Sequence, residues 1–348
     1  MIPVLYPANQ VLFFDNGLGG LSDTVSCVCT EVLNGSYELE LSIPIDGEHA
    51  SEIAVNRIIK AKANYIDDPQ PFRIYSVTKN DDGLINVKAA HLSYDTNGIP
   101  VLPFTSETLE DSIQNINQNT VSDSLFEVTS DFLADGDMKV EVPTPFKSLL
   151  GGSDKSLSSI YGGYFHYDWY SIELLQTRGV NKGICFRSSK NISEFEQETN
   201  SEEQYSAVFG YWKKDEDTIV YSDTIAIDQS LAYEKTLIIE ISSEALGISD
   251  HDTPTEDQLT EYVQSYVETN RPGNPKYSMS ITYKDDTEIT KINLGDIVGA
   301  LLPEYAIRLT ARCNKVAFDS LLEQNESIEI GDVDAGLAGE IALLSEKL

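Results

Sequence analysis

The sequence predicts a mainly β protein with some α, built as several domains. Three observations carry that expectation. Short runs of alternating apolar and polar residues, rich in Val, Ile, Thr and Tyr, fill both ends of the chain. Turn-forming dipeptides separate those runs at regular intervals. The 348 residues also exceed what one ordinary core accommodates, so two to four domains are expected. With 41% hydrophobic residues, including 18 Tyr and 12 Phe, there is enough apolar surface to fold.

Residues 1 to 100 read as strands and turns. TVSCVCTEVLNGSYELELSIP is a hairpin across Asn34-Gly35, a dipeptide that tolerates positive φ angles. RIIKAKANYI, PFRIYSVTKND and GLINVKAAHLSYD continue the alternation, with Asp81, Asp82 and Gly83 as another turn. Four or five strands with no long helix between them suggest a small barrel or sandwich. After Pro100 and Pro103 the period changes. In TSETLEDSIQNIN, Ser106 or Thr108 can cap a helix whose Leu109, Ile113 and Ile116 share one face. The stretch WYSIELLQTRG and the two that follow, KGICFRSSKNISEFEQETN and YSAVFGYWKKDEDTIVYSDTIAI, return to strands, with Asp215, Glu216 and Asp217 in a solvated turn. TPTEDQLTEYVQSYVETNRPG is a surface helix that starts near Pro254 and Glu256 and stops at Pro272-Gly273. Its apolar face is Leu259, Tyr262, Val263, Tyr266 and Val267. Strands in YSMSITYKD, INLGDIVGALLP, AIRLTARCNKVAFD and ESIEIGD precede a short amphipathic segment, LAGEIALLSEKL.

The net charge of −33 excludes binding to nucleic acid by phosphate neutralisation and disfavours an anionic membrane surface. It suits solubility at high local concentration, or a surface beside which DNA moves without sticking. Apolar stretches such as Val11 to Phe14 and Leu237 to Ile239 fall far short of a bilayer span. MIPVLYPANQ lacks the regions of a signal peptide, so synthesis in the cytoplasm is expected. Cys27 and Cys29 form a C-x-C that sends both thiols to one strand face. With Cys185, Cys313, His49, His91, His166 and His251 scattered, no metal-ligand spacing appears, and the cysteines read as free thiols.

The stretch SLLGGSDKSLSSIYGGYFHYDW, Ser148 to Trp169, is the densest in candidate chemistry. A phosphate loop would need glycine before Lys155, where Asp154 stands, and Ser153 lacks the downstream glycine of a nucleophile elbow. On a strand, His166 shares a face with Tyr164 and Asp168, and a His–Asp pair could serve as acid or base beside a nucleophile. A cross-strand polar pair on a half-exposed face is the plainer reading. Gly151-Gly152 and Gly162-Gly163 then act as chain breaks. No catalytic, cofactor or metal residue is assigned.

The same residues carry a resemblance. LLGGSDKSLSSIYGGYFHYDWYSIELLQTRGVNKGICFRSSKNISEFEQE resembles the signature block of siphophage and prophage tail-tip proteins, the tail-associated lysins or prophage tail endopeptidases, whose N-terminal region is baseplate-hub-like. The opening, MIPVLYPANQ onward, and INLGDIVGALLPEYAIRLTARCNKVAFDSLLEQNESIEIGD are similar to the family's start and end in the same order. The resemblance implies a multi-domain, β-rich phage minor structural protein: a trimeric hub whose two barrel-like domains per subunit alternate around a channel. It also implies a distal tail protein ring and a tape measure protein as partners, and a place at the virion tail tip during genome ejection. The expected division is a first β-barrel over 1-100, completed by a return segment near 205-232, and an inserted α+β domain over 101-204. A helix-containing α+β domain over 233-284, a second barrel over 285-332 and a C-terminal helix over 333-348 complete it. Many family members continue into a lytic part, whereas this chain ends at Leu348. A non-enzymatic hub is therefore the first expectation, without sequence-specific nucleic-acid contacts, cofactor or membrane insertion. A cell-wall peptidase is the alternative. A receptor binder, suggested by the Tyr excess, is the third.

Overall fold

The computed structural model describes residues 1–331 except 154, 188–191, 203, 215–217, 228–233, 244, 250–251, 275, 284–290 and 306. The expected helix over 333-348, the acidic turn at 215–217 and His251 lie outside the described residues. The fold is mainly β. The first seven strands are β1 (Val4–Tyr6), β2 (Gly19–Gly20), β3 (Ser26–Val32), β4 (Tyr37–Pro44), β5 (Ile58–Ala61), β6 (Gln70–Lys79) and β7 (Leu84–His91). Alternation sets their faces. Cys27, Cys29, Leu39 and Leu41 point into the core, while Glu38 and Glu40 stay toward solvent. The β3–β4 turn is the expected Asn34-Gly35, with Asn34 at φ 53°.

The next segment carries β8 (Pro100–Val101), β9 (Phe104–Thr108), α1 (Leu109–Gln118), β10 (Glu127–Ser130), β11 (Asp135–Val140) and β12 (Thr144–Pro145). It continues through α2 (Phe146–Leu150), α3 (Leu157–Tyr161), β13 (Tyr164–Asp168) and β14 (Ser171–Leu175). Thr108 caps α1, accepting from the Asp111 amide. Gly151 ends α2, and Gly162 and Gly163, at φ 71° and 91°, turn the chain from α3 into β13. This segment shares one apolar core with the first seven strands, running from Leu5 to Leu174, so the two pack as one unit. The Asn34 side chain ties them further: its amide donates to the Gly163 carbonyl and its Oδ1 accepts from the Phe165 amide, both at 2.9 Å.

β15 (Asn181–Arg187) and β16 (Ile192–Asn200) leave that unit. β17 (Ala207–Lys213), β18 (Ile219–Tyr221), β19 (Ile225–Ala226) and β20 (Thr236–Glu240) form a separate four-stranded sheet, covered by α4 (Glu256–Asn270). The segment near 205-232 therefore does not return to the first strands. Its alternation is served locally by Val208, Trp212, Ile241, Leu259 and Val263, which make a small core of their own. The final strands are β21 (Lys276–Tyr283), β22 (Ile297–Leu302), β23 (Ile307–Asp319) and β24 (Gln324–Gly331).

The two expected barrels are joined as one thirteen-stranded sheet. The strand β23 is the join. Along one edge its residues 307–312 pair with β22 and its residues 315–319 pair with β3, while β24 lines the other edge. An irregularity between Cys313 and Lys315 marks the changeover, where the Asn314 carbonyl accepts from the Leu33 amide. β15 pairs with β22 and β16 with β21, so residues 181–200, expected with the inserted segment, complete the second half of the sheet. The second core, centred on Phe186, Met279, Ile281, Cys313 and Phe318, lies beneath it.

Candidate functional site

Two features stand out: a charged junction between the halves, and a continuous solvated face on the large sheet. At the junction, Arg178 leaves β14 and meets Glu31 of β3 at 2.8 Å; both side chains are about nine-tenths buried. Burial alone would lower the Arg178 pKa, but the Glu31 charge outweighs it and holds the group above its ordinary value. Arg178 also donates to the Phe165 carbonyl at 2.7 Å. Next to it the chain passes through Gly179, at φ 82°, against Gly295, at φ 87°. A Cβ on Gly179 would sit 2.1 Å from the Gly295 carbonyl carbon, and one on Gly295 would sit 2.4 Å from the Arg178 oxygen. Only two glycines allow these backbones to touch. Arg312 seals the contact by donating to the Arg178 and Gly295 carbonyls.

A cavity of about 520 Å³ opens beside this contact, with Asp67, His166, Arg178, Lys182 and Asp296 among its polar walls. His166 bridges two carboxylates there, Nε2 to Asp67 and Nδ1 to Glu173, each at 3.1 Å. The hydrogen bond to Asp67 raises the His166 pKa to about 9, overcoming burial. Burial pushes the Asp67 carboxyl up, yet the hydrogen bond and charge of His166 bring it below its ordinary range. His166 is thus an imidazolium with both nitrogens donating, and it has no lone pair with which to take a proton. Glu173 lies opposite His166 in the β13–β14 register, the cross-strand polar pair expected on the plainer reading, while Asp168 accepts from Gln70 at 2.8 Å. Asp67 was beyond sequence reasoning, because ninety-nine residues separate it from His166.

The remaining candidates are dispersed. Cys27 and Cys29 are buried free thiols on one face; burial pushes Cys27 up to about 12 and Cys29 well above its usual value. His91 is buried and stacked on Tyr37, and burial lowers its pKa to about 3. Among the described residues no cluster of three or more His, Cys, Asp or Glu could hold a metal ion. Tyr6, Tyr37 and Tyr167 are core residues, which accounts for part of the Tyr excess.

The solvated face is read from the registers. From β16 the pairing runs through β21, β24, β23, β3, β4 and β7 to β6. Glu196 lies beside Ser280, which lies beside Glu329, which lies beside Lys315. Further along, Ala317, Thr30, Glu38 and Ala90 form a row, and Val28, Glu40, Lys88 and Ser76 form another. Most of these side chains alternate with buried ones, and Glu194, Glu196, Glu198 and Glu40 are exposed, whereas Ala90 and Ala317 are themselves buried. The result is an eight-strand face rich in carboxylates and hydroxyls, on which Lys88 pairs with Glu40 and Lys315 with Glu329. No helix among the described residues is long and apolar enough to cross a membrane.

Residues 180–337 match the family model described as prophage endopeptidase tail. The fold resembles prophage tail protein gp18 of Listeria monocytogenes EGD-e, with TM-score 0.62 and 12% identity over 99% of each chain. It is similar to the tail protein of Neisseria meningitidis MC58, at 0.60 and 8% over 98% of each. The 43 kDa tail protein of prophage MuSo2 from Shewanella oneidensis gives 0.60 and 11%, over 96% of this chain and 99% of that one. No curated protein matches the chain in sequence. The resemblance read in the sequence is upheld by the family match over its C-terminal part and by the shared fold throughout.

Proposed function

We propose that the chain is a structural baseplate or tail-tip hub subunit of a phage or prophage. Three copies form a ring that closes the distal end of the tail, seats on the distal tail protein ring and meets the tape measure protein inside. The solvated eight-strand face carries this reading: it is long and rich in hydroxyls and carboxylates, which suits the wall of a channel through which DNA leaves. A wall rich in carboxylates, with Lys88 and Lys315 in ion pairs, offers phosphates little to hold, so DNA slides past it. In this arrangement the strands of 1–91, 181–200 and 276–331 build the ring. The 100–175 and 207–270 segments are outward attachments that brace it.

The peptidase alternative keeps its place through the family description. Against it, His166, held between Asp67 and Glu173 with its pKa raised to about 9, is kept toward the cationic form and is poorly suited to take a proton. Purified chain incubated with host cell walls is expected to release no muropeptides; cleavage lost in a His166→Ala or Cys185→Ala variant would establish the enzyme. The ring is tested by particle mass and by stoichiometry in isolated tails. Three copies at −33 each bring −99, so ring formation is expected to strengthen with added salt or with the partner ring. A trimer tightest in dilute buffer would mean that attractive charge contacts hold it instead.

A further inference from the structure

We propose that the uncovered face of the small sheet β17–β20 is a platform for an uncharged glycan of pyranose sugars, of the kind a host cell wall presents. The host as its source rests on the hub reading; the chemistry of the site does not. Alternation gives this sheet two unlike faces. Val208, Trp212, Val220, Leu237 and Ile239 turn toward α4 and build the small core. Phe209, Tyr211, Tyr221, Ile238 and Glu240 turn the other way. The registers set them side by side: Tyr211 stands between Tyr221 of β18 and Glu240 of β20, and Phe209 stands beside Ile238. Tyr221 is 52% exposed and Ile238 64%, so a part of the Tyr excess that the cores do not absorb lies here.

Shape, charge and size choose the occupant. The Phe209 and Tyr221 rings lie 5.8 Å apart and within 24° of parallel, slipped past one another rather than eclipsed, which broadens one aromatic surface. The C–H groups of a sugar ring carry partial positive charge and pack on the negative face of such rings. Beside them the Tyr211 hydroxyl donates to Glu240 Oε2 at 2.9 Å, which fixes a carboxylate where sugar hydroxyls can donate to it. The four strands carry one cation, Lys213, and one anion, Glu240, so the face offers a polyion of either sign little to hold. The net charge of −33 repels polyanions besides. Three strands about 4.8 Å apart, over the five residues of β20 at about 3.3 Å each, give a footprint of roughly 240 Å². A stable protein interface covers about 800 Å² per partner. The face is thus too small for a second copy or another protein, and large enough for a short oligosaccharide.

The test is binding of the purified full chain to immobilised uncharged oligosaccharides of glucose, galactose, rhamnose and N-acetylhexosamines, with poly(glycerol phosphate) as the charged comparison. At least one uncharged member is expected to bind, with an affinity unchanged by added salt. Tyr221→Ala and Glu240→Gln should each weaken that binding by about tenfold or more. Both side chains lie opposite the α4 core, so the variants should keep the circular dichroism and tryptophan fluorescence of the parent. Trimer formation should be unchanged in them as well, so the platform and the ring fail separately. The platform is overturned if no uncharged member binds, if poly(glycerol phosphate) alone binds, or if both variants bind as tightly as the parent. Self-association, or attachment to the distal tail ring, that is lost in Tyr221→Ala marks a protein interface and also overturns it.

Discussion

The two halves of the large sheet reach similar architecture by opposite routes. The first half is written locally: β3 and β4 are a hairpin, β6 and β7 are another, and its strands lie within the first 91 residues. The second half is assembled from two distant stretches, 181–200 and 276–331, so its parallel β15–β22 pairing joins residues more than a hundred positions apart. Loop-closure entropy must be overcome before such pairings gain anything, so the second half depends on a few fixed contacts that hold its entry points. The Gly179–Gly295 contact and the Arg178–Glu31 pair are those contacts.

The largest effect is therefore expected from Gly179→Ala. It forces a side chain into a positive-φ position already filled by backbone, at a cost on the order of 4 kcal/mol or more. Hydrogen exchange should show lost protection in β22, β23 and β24, with β4 and β7 retained. Uniform loss across both halves would show that they unfold as one cooperative unit. Arg178→Ala comes next, at about 3–5 kcal/mol, because it strands Glu31 in the core. The double variant Arg178→Leu/Glu31→Leu should recover much of that in urea titration. If it recovers nothing, the bond from Arg178 to Phe165 matters more than the ion pair.

His166 gives a pH signature confined to the junction. Its folded pKa, about 9, lies above the ordinary value of 6.5. Its contribution is thus fully present below about pH 6.5 and is lost as pH rises toward 9. The stability difference between the parent and His166→Gln should shrink over that window. Lys147, whose pKa burial lowers to about 8, titrates nearby with the opposite sign, so the difference and not the raw profile is the readout. A difference independent of pH would mean that His166 is neutral in the fold.

What could be read from the sequence follows the same division. Asn34-Gly35, the Thr108 cap and the Gly162-Gly163 turn were all legible because each is a local backbone demand met by its own residues. The cross-strand pairing of His166, met by Glu173, was legible too, but its second partner was not: alternation fixes which face a side chain takes, not which distant chain arrives there, and Asp67 comes from the β5–β6 connection. Gly179 and Gly295 look like ordinary turn glycines in TRGV and LGDI. Their contact with each other joins positions more than a hundred residues apart, which no local pattern reports. The junction was thus hidden because its chemistry is entirely long-range.

The smallest expected effect tests the region outside both halves. Thr255 caps α4, accepting from the Gln258 amide at 3.3 Å while Gln258 accepts from the Thr255 amide at 2.9 Å, a complete capping box. Thr255→Ala should cost about 1 kcal/mol. The consequence depends on how that region is coupled to the rest. Leu259 and Val263 of α4 pack with Val208, Trp212 and Ile241 in a small core separate from the two large ones. Weakening the helix should therefore increase exchange in β17, β20 and α4 and leave β3, β4 and β23 unchanged. If protection in β23 falls as well, the 207–270 segment is part of the cooperative frame, and the contrast between a locally encoded first half and a pinned second half must be widened to include it.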